Sequence, residues 1–376
     1  MNAALQSSGE WQRVPGARGA SVVLPGQSPE GAYILSVLLK RSYHIANGEP
    51  CQPMDPNRAL AAGDVFWVEP MSSAVRYESD FIPFKTATDV VLNGTVHAPD
   101  QTPTTTCRVS LQVGAHSKSI AVIGDRTAHY NDGDTPLFGD PIPFTKMQLR
   151  YERAYGGVDV YCDPQTVYPY PRNPLGCGFA VANSAASIDG LQLPNLEDPA
   201  ALLTPEQLCL QEYANWESRP LPAGFGWIAK TWLPRAALAG VMPADRAIEQ
   251  EMRKAYAQLV PKEMRNAYLQ NGIRDMDFRF FNGASPGLVL DTVAPGELIV
   301  TNNLTDTGQF YFYLPEDAPR LGLDIGAGVQ EPDSALHTVM IDMDERRLDL
   351  VWRGAVPYRG PDWLPQMRKM EVLVSG

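Results

Sequence analysis

The sequence predicts a mainly β (α+β) fold, with antiparallel sandwich- or barrel-like sheets, a helical insert and long ordered loops. Three observations point there. The 376 residues include 33 prolines and 31 glycines, a density that long helices do not tolerate. Several segments alternate apolar and polar side chains with the period of a strand. From Tyr130 to about Pro199 periodicity fades, yet Tyr151, Tyr155, Tyr161, Tyr168 and Tyr170 crowd one stretch. Disordered linkers are poor in aromatics, so this region reads as irregular but ordered. At 44% hydrophobic and 20% charged residues, the chain can bury a large core in one or two domains.

Residues 1–20 are polar and broken by Gly and Pro, and read as a flexible N-terminal arm. Tyr33 to Ile45 predicts a long, mostly buried strand, with Tyr43 and Ile45 inward and Ser42 and His44 outward. Asp64 to Pro70 is a second candidate strand. Asp89 to Pro99 contains an Asn93-Gly94 step, the signal of a hairpin or of a bulge within one strand. Val109, Leu111 and Val113 alternate with Arg108, Ser110 and Gln112. Ser119 to Asp125 follows after a short loop, giving an antiparallel meander. Thr204, Pro205 and Gln207 form a capping-box start for a helix running to about Tyr213. Ile248, Met252, Ala255, Tyr256 and Leu259 share one face of a second helix from about Pro243 to Leu259, and Glu263 to Leu269 adds a short third.

The C-terminal hundred residues return to strands. Gln309 to Pro315 is aromatic and strand-like. Leu336 to Gly354 predicts a hairpin turning near Asp344-Glu345-Arg346, with Leu348, Leu350 and Trp352 alternating with Asp349 and Arg353. The charged run Met340 to Asp349 reads as its solvated tip. The expected organisation is an arm over 1–20, a β-rich core over 21–300 with a helical insert at about 200–270, and a C-terminal hairpin region over 301–376 packed on that core.

Charge narrows function. With 31 Lys and Arg against 43 Asp and Glu, the net charge of −12 disfavours nucleic acid as a partner. Cys51, Cys107, Cys162, Cys177 and Cys209 form no Cys-x-x-Cys pair, a usage that suits a reducing cytoplasm. No apolar run is long enough for a secretory signal or a membrane span; Ala32 to Leu39 is too short. The expectation is a cytoplasmic protein without membrane contact.

Catalytic constellations are weak. Gly283-Ala284-Ser285-Pro286-Gly287 fits a nucleophile elbow, with Asp333 and His337 in chain order behind it. But the residue after the serine must donate its N–H to the oxyanion hole, and Pro286 has none. His44, His97, His116, His129 and His337 show no zinc spacing. His129 with Asp132, Asp134 and Asp140 lacks the order of a calcium loop. No phosphate-binding glycine loop is present. The sequence therefore calls for no cofactor, no metal and no catalytic residues.

One segment stands apart: Arg150-Tyr151-Glu152-Arg153-Ala154-Tyr155-Gly156-Gly157. As a strand it would put Tyr151, Arg153 and Tyr155 on one face and Arg150, Glu152 and Ala154 on the other. Glu152 would then pair with an adjacent arginine, and the glycines would permit a tight turn. A structural Arg–Glu network is the first reading and a partner-binding patch the second.

These residues also belong to an ordered series. Phe84-Lys85, Thr88-Asp89-Val90, Gly124-Asp125-Arg126 and Pro143-Phe144-Thr145-Lys146-Met147 precede Leu149 to Gly157. Asn173-Pro174-Leu175-Gly176-Cys177-Gly178-Phe179, Leu193 to Pro199 (with Asn195), Pro222-Ala223-Gly224-Phe225-Gly226 and Asp277-Phe278-Arg279-Phe280-Phe281-Asn282 follow. The series resembles the domain-of-unknown-function family 2169 over about residues 30–300. The resemblance implies an adaptor or chaperone of bacterial type VI secretion. It would bind a secreted effector and help load it onto the VgrG/PAAR spike, without catalysis and without a cofactor. Its candidate structural or partner-binding residues are Asp125, Arg126, Arg150, Tyr151, Glu152, Arg153, Tyr155, Gly156, Gly157, Asn173, Pro174 and Asn195. Two rivals stand beside it: a hydrolase of cell-wall or carbohydrate material using Glu152, Asp125 and Asp159, and a structural component of the spike.

Overall fold

The computed structural model describes residues 11–14, 20–70, 72–132, 135–163, 165–210, 212–240, 276–326, 328–366 and 370–375. The principal strands, in chain order, are β1 (Ser21–Gln27), β2 (Tyr33–His44), β3 (Thr88–Asn93), β4 (Thr106–Val113) and β5 (His116–Ile123). They continue with β6 (Val158–Asp163), β7 (Thr166–Pro169), β8 (Leu298–Asn302), β9 (Gln309–Tyr313), β10 (Ser334–Asp342) and β11 (Arg347–Pro357). The fold is mostly β, as expected, and its sheets stay open, with no closed barrel among the described residues.

The largest sheet has the order Val289–Leu290, β3, β10, β11, β2, β1, with Gln52–Pro53 on the far end of β2. Its contacts are antiparallel except β3 with β10. A second sheet runs Leu196–Glu197, β5, β4, β8, β9. A third joins Gln12–Arg13, Glu371–Ser375, Arg320–Asp324 and Val329–Gln330, tying the start of the chain to its end. The apolar faces share one core. Leu35, Val37 and Leu39, Val339 and Ile341, and Leu348 and Leu350 come from the first sheet. Val109, Leu111, Ile120, Val122, Ile299, Phe310 and Phe312 come from the second.

Several local expectations change. The Asn93-Gly94 step makes neither a hairpin nor a bulge within one strand. β3 runs beside β10, whereas Thr95–His97 pairs with Lys146–Gln148, so the chain leaves one sheet for another at Gly94. Asp64 to Pro70 keeps only Val65–Phe66 as strand. The Thr204 capping box forms, but it starts one 3-10 turn, Pro205–Gln207, and a second 3-10 segment covers Tyr213–Ser218. Leu208 and Leu210, just beyond the first of these turns, are buried in a local aromatic core. The helices expected over 243–259 and 263–269 lie outside the described residues.

The irregular stretch after Tyr130 is a second core. Tyr155, Tyr170, Phe179 and Trp216 pack together, with ring centroids 5.1 Å apart for Tyr155–Tyr170 and 5.3 Å for Tyr170–Phe179. Loops dominated by Gly and Pro fold here because aromatic burial supplies the driving force that regular ladders supply elsewhere.

Candidate functional site

The segment Arg150 to Gly157 is not a strand throughout. Tyr151–Arg153 forms a 3-10 turn, and only Tyr155–Gly156 is extended. The turn sends the two tyrosines in different directions. Tyr151 enters the main core, edge-on to Trp232 at 5.5 Å, and Tyr155 enters the aromatic core. Burial pushes both hydroxyls well above the usual tyrosine range. Gly224 lies so close to the Tyr151 ring that a Cβ there would stand 2.7 Å from Cζ. That contact explains why the Pro222 to Gly226 segment carries glycine at this place.

Asn173 closes the segment from the other side. Its Nδ2 donates to the Tyr151 carbonyl at 2.8 Å and the Tyr155 carbonyl at 3.2 Å, and its backbone carbonyl accepts from Gly157 N at 2.9 Å. Tyr155–Gly156 then pairs in parallel with Cys177–Gly178. A Cβ on Gly156 would lie 2.1 Å from the Asn173 carbonyl oxygen, and one on Gly176 2.4 Å from that of Ala154. Pro174 follows directly and lines a small pocket with Trp232. The residues the sequence singled out thus meet in one knot between the two cores.

Polar partners at its rim complete the knot. Arg153 Nη1 lies 3.2 Å from Asp125 Oδ1 and 3.0 Å from Asn195 Oδ1, and Asn195 Nδ2 donates to Asp125 Oδ1 at 2.9 Å. Asn195 also exchanges backbone bonds with Ile123 and Arg153. Arg126 meets Glu197 Oε1 at 2.5 Å and stacks on Phe138. Burial raises the Glu197 pKa, against the Leu203 N–H and Arg126, which lower it. The expected Glu152–arginine pair does not form: Glu152 Oε1 accepts from Ala74 N at 2.9 Å, and Arg150 stacks on Trp67 at 4.1 Å. Asp159, named with Glu152 and Asp125 as a hydrolytic carboxylate, is buried and accepts from the backbone N–H groups of Tyr161, Cys162 and Val181.

The sequence missed a second constellation. The face of the first sheet opposite the core is buried too, and it is charged. Lys40 and Ser42 (β2), Arg347 and Asp349 (β11), Thr338 and Asp342 (β10) and Asp89 (β3) are all under 7% exposed. Ser42 and Asp349 therefore do not face solvent, and of the run from Met340 to Asp349 only Asp344 and Glu345 are exposed at the tip, with Arg346 half-buried. Asp349 accepts from Ser42 Oγ at 2.6 Å, Arg58 Nη1 at 3.0 Å and Arg347 Nε at 3.2 Å. Lys40 pairs with Asp80. Asp342 accepts from Tyr77 Oη at 2.6 Å, and Lys85 Nζ meets Asp89 Oδ2 at 2.6 Å. Glu78 meets Arg235 at 2.6 Å in the covering loops. Alternation in Arg347–Leu350 was the visible signal, but alternation reports two faces and not which of them is wet.

Ser285 makes no nucleophile elbow. It is fully buried, Lys118 Nζ reaches its Oγ at 2.5 Å and the Pro286 carbonyl at 2.8 Å, and a turn and the short strand Val289–Leu290 follow. His129 lies 3.8 Å from Asp189. Among the described residues no group of three or more His, Cys, Asp or Glu is placed to hold a metal ion. Burial pushes the Cys51 and Cys177 thiols up to about 12, so neither is a thiolate at neutral pH. No helix among the described residues is long and apolar enough to cross a membrane.

Fold and site together define an open-sheet β protein whose conspicuous motif residues hold its architecture together. The chain belongs to the bacterial family described as "Uncharacterized protein conserved in bacteria (DUF2169)", whose model matches residues 30–353. No curated protein and no solved structure matches it.

Proposed function

We propose that this chain is a non-catalytic adaptor, or chaperone, that binds a type VI secretion effector in the bacterial cytoplasm and helps load it onto the VgrG/PAAR spike. The observation that carries this reading is the ribbon β6–β7. Its strands pair only with each other among the described residues, so no further strand covers either outer edge. Val158, Val160, Tyr161 and Val167 are 41%, 46%, 65% and 62% exposed on it. Soluble proteins cover or charge such edges unless a partner uses them. Asp159 pins the opposite face of the ribbon to the body through Val181 N. The knot at Gly156-Gly157 fixes its base. A rigid base under an adhesive ribbon suits the addition of an extended segment of cargo as a further strand.

The hydrolytic carboxylates bear on the same choice. Asp159 and Glu152 are occupied by backbone N–H groups, and Asp125 by Arg153 and Asn195. That occupation favours stoichiometric binding over turnover. The test is affinity purification of the tagged chain from its native host under secretion-active conditions. The expected result is near-stoichiometric recovery of a toxin-like protein, with or without the spike. Recovery of the chain alone, from cells that express the secretion machinery, would overturn the reading.

A further inference from the structure

A pocket of about 310 Å³ opens between β10, β11 and the 85–88 and 291–295 loops, away from the ribbon and the knot. It is lined by Lys85, His337 and Arg353 over an apolar wall that includes Val293, Leu336 and Trp352. The cations differ in how they are satisfied. Lys85 is neutralised by Asp89 at 2.6 Å. Among the described residues Arg353 has no carboxylate within 4 Å and closes no hydrogen bond; its guanidinium lies over the Phe84 ring at 4.4 Å. Burial lowers its pKa with no acidic group opposing it. A half-buried guanidinium without an anion is unusual, since desolvating a charge is costly unless it is paired. It is more unusual in a chain of net charge −12.

The backbone places the histidine here deliberately. Leu336 opposes Trp352 and Thr338 opposes Val351, so His337 is the extra residue of a β-bulge, a device that re-aims side chains beside binding sites. Thr338 Oγ1 accepts from Lys85 Nζ at 3.1 Å and lies 3.1 Å from His337 Nδ1. With its own proton turned to Nδ1, the neutral ring carries its hydrogen on Nε2. Nε2 is buried and closes no hydrogen bond, although the Ile82 carbonyl nearby favours the charged ring. Among the described residues the one acidic lining residue is Asp291, which is exposed.

We propose that this pocket binds a carboxylate carried on an apolar body, with Arg353 as its anchor. The planar fork of the guanidinium matches a carboxylate. The apolar wall takes the rest of the ligand, and the exposed Asp291 disfavours more highly charged anions. The same chemistry is presented by a free small organic acid and by the C-terminal residue of a protein chain. The site does not depend on the adaptor reading.

The test is isothermal titration of the full chain with N-acetyl-leucine, N-acetyl-leucinamide and a hexapeptide ending in a free leucine carboxylate. The expected result is that a carboxylate probe binds at least about tenfold more tightly than the amide. Arg353→Lys keeps the charge but loses the fork, and weakens binding at least about tenfold. Ala318→Trp, at the exposed edge of the pocket, abolishes binding without moving the melting temperature, and decides the matter if Arg353→Lys fails to fold. Binding of the hexapeptide alone identifies a chain terminus; comparable binding of both acids identifies a free organic acid. Equal binding of acid and amide, no binding by any probe, or carboxylate binding unchanged in Ala318→Trp would overturn the proposal.

Discussion

Asn173 shows how much one side chain can organise. Asn173→Ala removes donors from the Tyr151 and Tyr155 carbonyls, and each buried group left short of a partner costs about 1–3 kcal/mol. We expect a urea midpoint lowered accordingly with an unchanged slope. Asn173→Asp should not restore it, because an ionised carboxylate cannot donate. Lys118 gives a second test at this scale. Burial lowers its pKa to about 8, from an unfolded value near 10.5. Below pH 8 both states are protonated and the folded state carries the desolvation penalty; the penalty fades as pH rises from about 8 to 10.5. Wild type should therefore gain stability over that window relative to Lys118→Met in pH-dependent thermal melts. The residue types at these positions were legible in the sequence, and so was their order. The pairing of Asn173 with Tyr151 and Tyr155 was not, because side chain–backbone bonds across 22 and 18 residues leave no periodic trace.

Among elements, the long strands were legible and the short ones were not. β2, β4, β5, β9 and the β10–β11 hairpin follow alternation or long apolar runs, which the sheets then bury on one face or two. The step at Gly94 was misleading because a turn-forming dipeptide also suits a strand that changes sheets. The capping box at Thr204 signalled a start and not a length. The buried charged face was read as solvated because charge in a strand usually means water. Its pairing makes a sharp prediction. Asp349→Ala takes the acceptor from the buried donors Ser42 Oγ and Arg347 Nε, while Arg347 keeps Asp342, and should cost about 1–3 kcal/mol in chemical denaturation. Arg320→Ala, which breaks the exposed pair with Glu331, should leave the midpoint unchanged.

At the scale of the whole molecule, three sheets and an aromatic core are held by groups whose charge is fixed by burial. His337 is kept neutral, its pKa held well below the usual value by desolvation first and by Lys85 and Arg353 next. The unfolded chain therefore takes up this proton before the folded one does, and stability should fall as pH drops below about 6.5. His337→Gln should flatten that limb of the stability–pH curve. Glu197 runs the other way, since burial raises its pKa and the folded state takes its proton first.

On the proposed reading, the knot holds a ribbon in place and the ribbon holds a partner. The most direct measurement is recovery of the proposed effector per copy of this chain from the native host, for wild type and for the double variant Val160→Asp, Val167→Asp. Both side chains are exposed, so the variant should melt at the wild-type temperature. At least about a tenfold loss of recovered effector is expected. Recovery equal to wild type, from a variant that melts normally, would contradict it.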